Sequence, residues 1–249
     1  MSSLPSDNLP ATQADPFATH IETERLDAVL HMVSGLAHES RNALQRASAC
    51  LDLLELGVAD ASESLQLTKR IRAALNDLVR SYEAVKKYAQ PIVLTYSDID
   101  VLQLCQSTFD ELAAPFPYRP VQLRIIAGQE EMRAEMDASA MRTVFKNLLL
   151  NALAEELSLP VIDVGVGINV IAGREQLQIT LRDYGGGVNS GLLPHAFEPY
   201  VTTRQQGVGL GLAVCRRIVT AHGGQIKLEN HPAGGLQVRM TIPRSRRGL

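Results

Sequence analysis

Apolar residues recur at alternating steps of four and three along the first part of the chain: Leu26, Leu30, Val33, Ala37, Ser40, Leu44, Ala47, Leu51, Leu54 and Val58. This is a heptad seam, apolar at every step but Ser40, and no proline interrupts it between Ile21 and Leu56. The spacing predicts one long helix, broken by GVADAS from Gly57. A second helix is expected over roughly Glu63–Ala89, where Ile71, Leu75, Leu78, Tyr82, Val85 and Ala89 keep the same rhythm, and Gln90-Pro91 ends it. Two long helices on a short loop form an antiparallel hairpin. A lone hairpin buries both seams poorly, whereas two copies make a four-helix bundle, so a homodimer is expected. The alternative is a hairpin packed on the rest of its own chain.

After Pro91 the pattern changes. IVLTYSDIDV reads as a strand running into a helix over Asp100–Ala113, and VQLRIIAG as a strand. DASAMRTVFKNLLLNALAEEL is a helix with Asp137 as its N-cap. VIDVGVGINVIAG and QLQITLRDY alternate as two strands around the turn AGRE. A glycine-rich stretch follows from Gly185 to Gly207, then a helix over VGLGLAVCRRIVTAHGG closed by Gly223-Gly224, and a final hairpin of QIKLEN and LQVRMTIP. The expected organisation is α+β: a disordered arm over residues 1–20, a helical hairpin over 21–91, and a domain over 92–249 with a mixed or antiparallel sheet covered by helices.

Composition narrows the function. With 249 residues, 45% of them apolar, the chain can bury a sizeable core. A net charge of −3 without a basic block argues against a dedicated nucleic-acid binder. No apolar run approaches the ~18 residues of a membrane span. The first residues, rich in Pro, Ser, Asp and Thr, lack the apolar stretch of a signal peptide. Cys50, Cys105 and Cys215 are odd in number and far apart, which fits a reducing cytoplasm better than a disulfide framework.

Three stretches carry candidate chemistry. GVGLGL, Gly207–Leu212, alternates glycines where a helix begins, so backbone N–H groups and the helix dipole can approach a phosphate. It lacks the Gly-Lys-Ser/Thr of a Walker A loop. In RDYGGGV, Asp183 ends a strand before three glycines. The stretch is either a flexible turn or a carboxylate placed to accept from a base amino group. Asn147 and Asn151 stand one turn apart on an otherwise apolar helix. They are either surface amides or a face turned to phosphates and a hard cation such as Mg²⁺.

The order of these elements resembles the catalytic domain of sensor histidine kinases, within the GHKL ATPases. FKNLLLNALAE looks like the N box, DYGGG the G1 box, FEPYVTTR the F box and GVGLGL the G2 box, over about Thr95–Pro243. LAHESRNALQ on the first helix looks like the phosphoacceptor H box. The resemblance implies a GHKL-type α/β sandwich that binds ATP and Mg²⁺, behind a dimeric four-helix bundle. It implies that Asn151 ligates Mg²⁺ and Asn147 lines the same site, and that Asp183 binds the adenine amino group with Gly185 and Gly187 beside it. Gly207, Gly209, Leu210 and Gly211 would wrap the triphosphate. Thr241 would sit at the adenine end next to Asp183. Val188–Gln206 would form a lid anchored by Phe197. The implied activity is autophosphorylation of His38, then transfer to an aspartate on a response regulator receiver domain.

His38 lies one step off the seam and should be exposed, with Asn42 one turn along the same face. Glu39 can reach Nδ1, fix the tautomer and leave Nε2 to attack. Asn42 would position a water against a phospho-aspartate, which is the phosphatase activity that the resemblance implies. His31 is the rival histidine, but Met32 rather than an acid follows it. The pattern has departures. Ala43 stands where the family often has proline. Ala154 stands where a basic residue is usual, with Arg204 as a candidate replacement phosphate contact. Gly35 sits inside a helix at a cost of roughly 1 kcal/mol against Ala. Two other functions compete with the kinase. A GHKL ATPase of the gyrase kind would need a glutamate where Asn147 stands. A dimeric scaffold that binds ATP without turnover would not need the intact His38, Asn151, Asp183 and glycine set.

Overall fold

The structure is a computed structural model. It describes residues 16–56, 61–114, 121–126, 132–153, 161–171, 173–203 and 208–245, with 16–32, 55 and 61 described by their backbone alone. The first fifteen residues of the expected arm, Gly57, Val58, Ala154, Arg204 and Gly207 lie outside these.

Helix α1 spans Pro16–Glu55 and α2 spans Ala61–Ala89. The first begins five residues before the expected Ile21, so residues 16–20 are helical rather than part of an arm. Proline at a helix start is unstrained because its missing N–H has no intrahelical partner there. The heptad seam divides into two rows. Ser40, Ala47 and Leu54 turn inward and are buried or half-buried, as are Ile71, Leu78 and Val85 of α2. The other row faces away: Leu44 (52%), Leu51 (47%), Leu75 (47%) and Tyr82 (54%) are exposed. One hairpin therefore satisfies half of its own pattern.

The second unit is a two-layer sandwich. Its main sheet has the order β2(Gln122–Ile125), β4(Val161–Ile171), β5(Arg174–Arg182), β7(Leu236–Pro243), β6(Gln225–Asn230). Only β2 and β4 run parallel, so the sheet is mixed. A parallel pair needs a crossover, and β3(Arg133–Met136) with α4(Ala138–Leu153) provides it. Leu177, Ile179 and Leu181 of β5 alternate with polar residues, as do Val238, Met240 and Ile242 of β7. This single apolar face packs on α3(Val101–Ala113), α4 and α5(Gly211–Ala221) around Phe145, Met141 and Leu149.

Three expectations need adjustment. The strand expected over IVLTYSDIDV shrinks to β1(Ser97–Asp100), which pairs antiparallel with β3. Strand β3 was not expected at all, because RAEM carries only two apolar residues and its partner lies more than thirty positions away. Helix α5 starts at Gly211 rather than Val208, since Gly209 has φ +71° and the chain enters the helix only after it. Asp100 caps α3 by accepting from the Gln103 N–H, and Asp137 caps α4 through Ala140 N–H at 2.9 Å. Gly223, at φ +74°, closes α5 as expected.

Candidate functional site

The end of β5, the starts of α5 and of the stretch after Asp183, and one face of α4 meet around a cavity of about 320 Å³. Its lining includes Asn147, Asn151, Asp183, Gly187, Gly209, Leu210 and Gly211. Leu150, Leu192, Ala196 and Val201 form an apolar wall, and Ala84 of α2 stands at its edge. Apolar walls with a few convergent polar groups suit a flat base joined to a charged tail.

Each polar group is positioned. Asn147 donates its Nδ2 to the Thr143 carbonyl at 2.9 Å, and its Oδ1 lies against Gly211, where a β-carbon would come within 3.0 Å. Asp183 accepts two backbone N–H groups, Gly185 at 3.0 Å and Leu236 at 2.9 Å. Both use Oδ1, so Oδ2 keeps its capacity to accept from a ligand. Asn230 clamps the next segment, accepting from Val188 N–H at 2.8 Å and donating to its carbonyl at 2.7 Å. Asn151 offers a hard amide oxygen. One or two protein oxygens completed by phosphates and water are how Mg²⁺ is usually held, and the donor set fits that. Among the described residues there is no cluster of His, Cys, Asp and Glu to hold a metal alone.

Some expected residues stand elsewhere. Gly185 serves Asp183 through its backbone. Phe197 is buried and packs near the Arg216 guanidinium, 6.0 Å from its ring centre, beneath the segment rather than in the cavity. Thr241 is not next to Asp183. It pairs with Gln178 in the middle of β5, while Asp183 meets Leu236, five residues back along β7. At about 3.3 Å per residue that is roughly 16 Å away. Leu236 holds the position given to Thr241, and no sequence signal marks it, because the register of β5 on β7 is a tertiary fact.

Two polar networks brace the domain, one of them beside Asp183. Asp163 on β4 accepts from Arg124 Nε at 2.7 Å and Nη2 at 3.0 Å, and from the Tyr184 hydroxyl at 2.5 Å. Arg182 stacks on the Tyr184 ring at 4.4 Å and donates to the Ala233 and Gly234 carbonyls. This ties the β6–β7 turn to the Asp183 segment. Burial pushes the Asp163 carboxyl up, but Arg124 and Tyr184 outweigh it and hold it below the ordinary range. At the C-terminal end of α5, away from the cavity, buried His222 donates Nδ1–H to the Ile218 carbonyl (2.8 Å) and accepts the Asp137 N–H at Nε2 (3.1 Å). Burial also pushes Asp137 up, yet bonds from Ala140, Thr95 and Ser139 hold it low.

On α1, His38 is exposed, as expected. Its ring is held from a different side than the sequence suggested. The Asn42 amide lies 3.1 Å from Nε2. An amide nitrogen can only donate, so Nε2 accepts and the ring proton sits on Nδ1. The expected contact of Glu39 with Nδ1 is not formed: the Glu39 charge acts on the Tyr200 hydroxyl instead. Arg124, Asp163, Asn230 and Tyr200 support the site but follow no local pattern.

Residues 136–246, which build this fold and most of the cavity lining, match the family described as histidine kinase-, DNA gyrase B-, and HSP90-like ATPase. With the hairpin in front, the chain as a whole is similar to sensor histidine kinases. It is 28% identical over 220 residues to the sensor histidine kinase ZraS of Salmonella typhimurium, covering 88% of this chain and 47% of that protein. It is 26% identical to sporulation kinase E of Bacillus subtilis, covering 89% of this chain and 29% of that one. The chain thus spans about half, or less, of these relatives' length. The fold is similar to that of the histidine kinase ThkA, solved in complex with the response regulator TrrA. That match has a TM-score of 0.74 at 23% identity and covers 96% of this chain and 70% of that one. Among the described residues, no helix is long and apolar enough to cross a membrane.

Proposed function

We propose that this chain is a two-component histidine kinase that uses Mg-ATP to phosphorylate His38 and passes the phosphoryl group to an aspartate of a response regulator receiver domain. The observation that carries this is the convergence of Asn151, Asp183 and the Gly187, Gly209 and Gly211 backbones on one cavity edged by the hairpin that exposes His38. Asp183 recognises the adenine amino group through Oδ2. The backbone around Gly209–Gly211 and the start of α5 receives the phosphates. Asn151 would hold Mg²⁺, with Asn147 beside it, and the ion when bound would neutralise charge on the phosphates. Phe197 anchors the lid.

Nε2 of His38, its lone pair set by the proton on Nδ1, displaces ADP from the γ-phosphorus. The N–P bond forms as the bond to the β–γ bridging oxygen breaks, and Nδ1–H remains on the ring. Asn42 must release Nε2 for this step, and in hydrolysis of the phospho-aspartate on the receiver domain its amide positions the attacking water instead, with inorganic phosphate leaving. Glu39 would have to turn from its present place near Tyr200 to hold Nδ1–H during the step. Two copies bring the outward rows Leu44–Leu51 and Leu75–Tyr82 together as a four-helix bundle. The three free cysteines suit a cytoplasmic setting. Asp183 is the only carboxylate among the described lining residues, and its Oδ1 is occupied, which disfavours an ATPase that needs a general base there.

The test is incubation with Mg-ATP labelled at the γ-phosphate. Acid-labile, alkali-stable label is expected on wild type and absent from His38→Ala. Label that persists in this variant removes His38 from the reaction. Asn151→Ala should stop labelling without changing the oligomeric state.

A further inference from the structure

Gly35 stands inside a helix, where glycine is unfavourable, and nothing in the nucleotide site accounts for it. Its reason is Tyr200. The Tyr200 ring, from the segment between Phe197 and the Gly209 loop, packs directly against residue 35. A β-carbon there would sit 2.6 Å from Cε2 and closer still to Cγ and Cδ2. Tyr200 is the only non-glycine among the described residues with a positive φ, +66°. Such a backbone persists only where its surroundings hold it. The hold comes from the nucleotide loop. Tyr200 N–H donates to the Gly209 carbonyl at 3.0 Å, and a β-carbon on residue 209 would lie 2.7 Å from Tyr200 Cα. The hydroxyl is buried without a hydrogen-bond partner, so the ring is placed for its shape. Burial, with the Glu39 charge adding to it, pushes the phenol up to about 12 and keeps it neutral.

Other contacts gather nearby. Arg217 of α5 stacks on Tyr88 of α2 at 4.7 Å and donates to the Gln90 carbonyl at 3.1 Å, and Ala84 edges the cavity. The Arg46–Asp77 ion pair marks the antiparallel register that brings Gly35 level with this end of α2. Gly35 is one turn before His38.

We infer that Tyr200 is a positioning residue: its ring, seated in the notch at Gly35, registers the nucleotide loop on the phosphoacceptor helix, and this docking is needed for transfer to His38. This rests on the proposed kinase activity. The link is mechanical. Gly209 belongs to the loop that lines the cavity, and its carbonyl holds the residue that touches α1.

The test uses the full chain with Gly35→Ala, Tyr200→Ala, Tyr200→Phe and the Gly35→Ala/Tyr200→Ala double variant. Alanine is the better helix former, so Gly35→Ala leaves α1 intact while its methyl group evicts the ring. Gly35→Ala and Tyr200→Ala should each slow autophosphorylation at saturating ATP by at least about ten-fold, since small misplacements of reacting groups are costly. Nucleotide affinity should stay within about two-fold, and the double variant should be no slower than either single one. Tyr200→Phe should match wild type. Hydrogen exchange is the second readout and needs no turnover: amides at 201–203 and 208–210 should lose protection in both single variants and keep it in Tyr200→Phe. If wild type does not label His38, the kinase reading fails, and exchange alone decides the docking. Unchanged or faster labelling in Gly35→Ala, additive losses in the double variant, or unchanged exchange would overturn the inference.

Discussion

Asp183→Asn should separate adenine recognition from folding. In the wild type, Oδ1 accepts the Gly185 and Leu236 N–H groups at 3.0 and 2.9 Å, and Oδ2 remains for the ligand. An asparagine can turn its single oxygen to the two backbone donors and so keep both bonds. Its NH₂ then occupies the Oδ2 position and donates where the adenine amino group also donates. One hydrogen bond to a charged acceptor, worth about 1.5–3 kcal/mol, is lost. That corresponds to roughly 10- to 150-fold weaker binding. Guanine presents an acceptor at the same place, so discrimination against GTP should fall as well. Asp183→Ala differs in kind. It leaves two N–H groups of a half-buried turn without a partner, and the midpoint of thermal unfolding should drop along with affinity. Calorimetric titration with ADP and GDP, paired with thermal unfolding of both variants, measures this. Asp183→Asn binding ADP as tightly as wild type would refute the role of Oδ2. An unchanged unfolding midpoint in Asp183→Ala would refute the structural role of Oδ1.

Other predictions concern the scaffold. His222→Ala removes a buried ring whose Nε2 satisfies the Asp137 N–H and should cost about 2–4 kcal/mol, read as a lower midpoint in denaturant. Asp137 and Asp163 are both held below the ordinary carboxyl range. Their stabilisation is therefore full above the unfolded value of about 3.9 and is lost as pH falls through the folded values. The melting temperature should be level from pH 7 to 5 and fall steeply below about 4, and Asp163→Asn should flatten part of that fall; an equally steep fall in the variant would exclude Asp163 as a contributor. Leu44→Glu with Leu75→Glu places charges on the outward rows and should convert a dimer to a monomer in sedimentation velocity while ADP affinity is retained. A variant that stays dimeric would place the interface elsewhere.

Much of this protein is legible in its sequence because the determinants are local. Heptad spacing marks both hairpin helices, and a residue seven positions on returns to the same face whatever the rest of the chain does. Period-two alternation marks β5 and β7, and caps at Asp137 and Gly223 mark helix ends within a residue or so. The site residues Asn147, Asn151, Asp183, Gly187, Gly209 and Gly211 were recognisable from their order and do line one cavity. What the tertiary structure decided are contacts between distant segments. Strand β3 exists because β1 pairs with it, not because RAEM favours a strand. Asp183 meets Leu236 rather than Thr241 because the register of β7 on β5 is set by the alternating core residues of both strands. Asn42 rather than Glu39 engages the His38 ring, since a residue four positions on lies directly above it on a helix and the adjacent one points aside. Gly35 has no local explanation at all. Its missing side chain is complementary to Tyr200, some 165 positions later, and no pattern within one helix can encode the shape of a ring that arrives from another part of the fold.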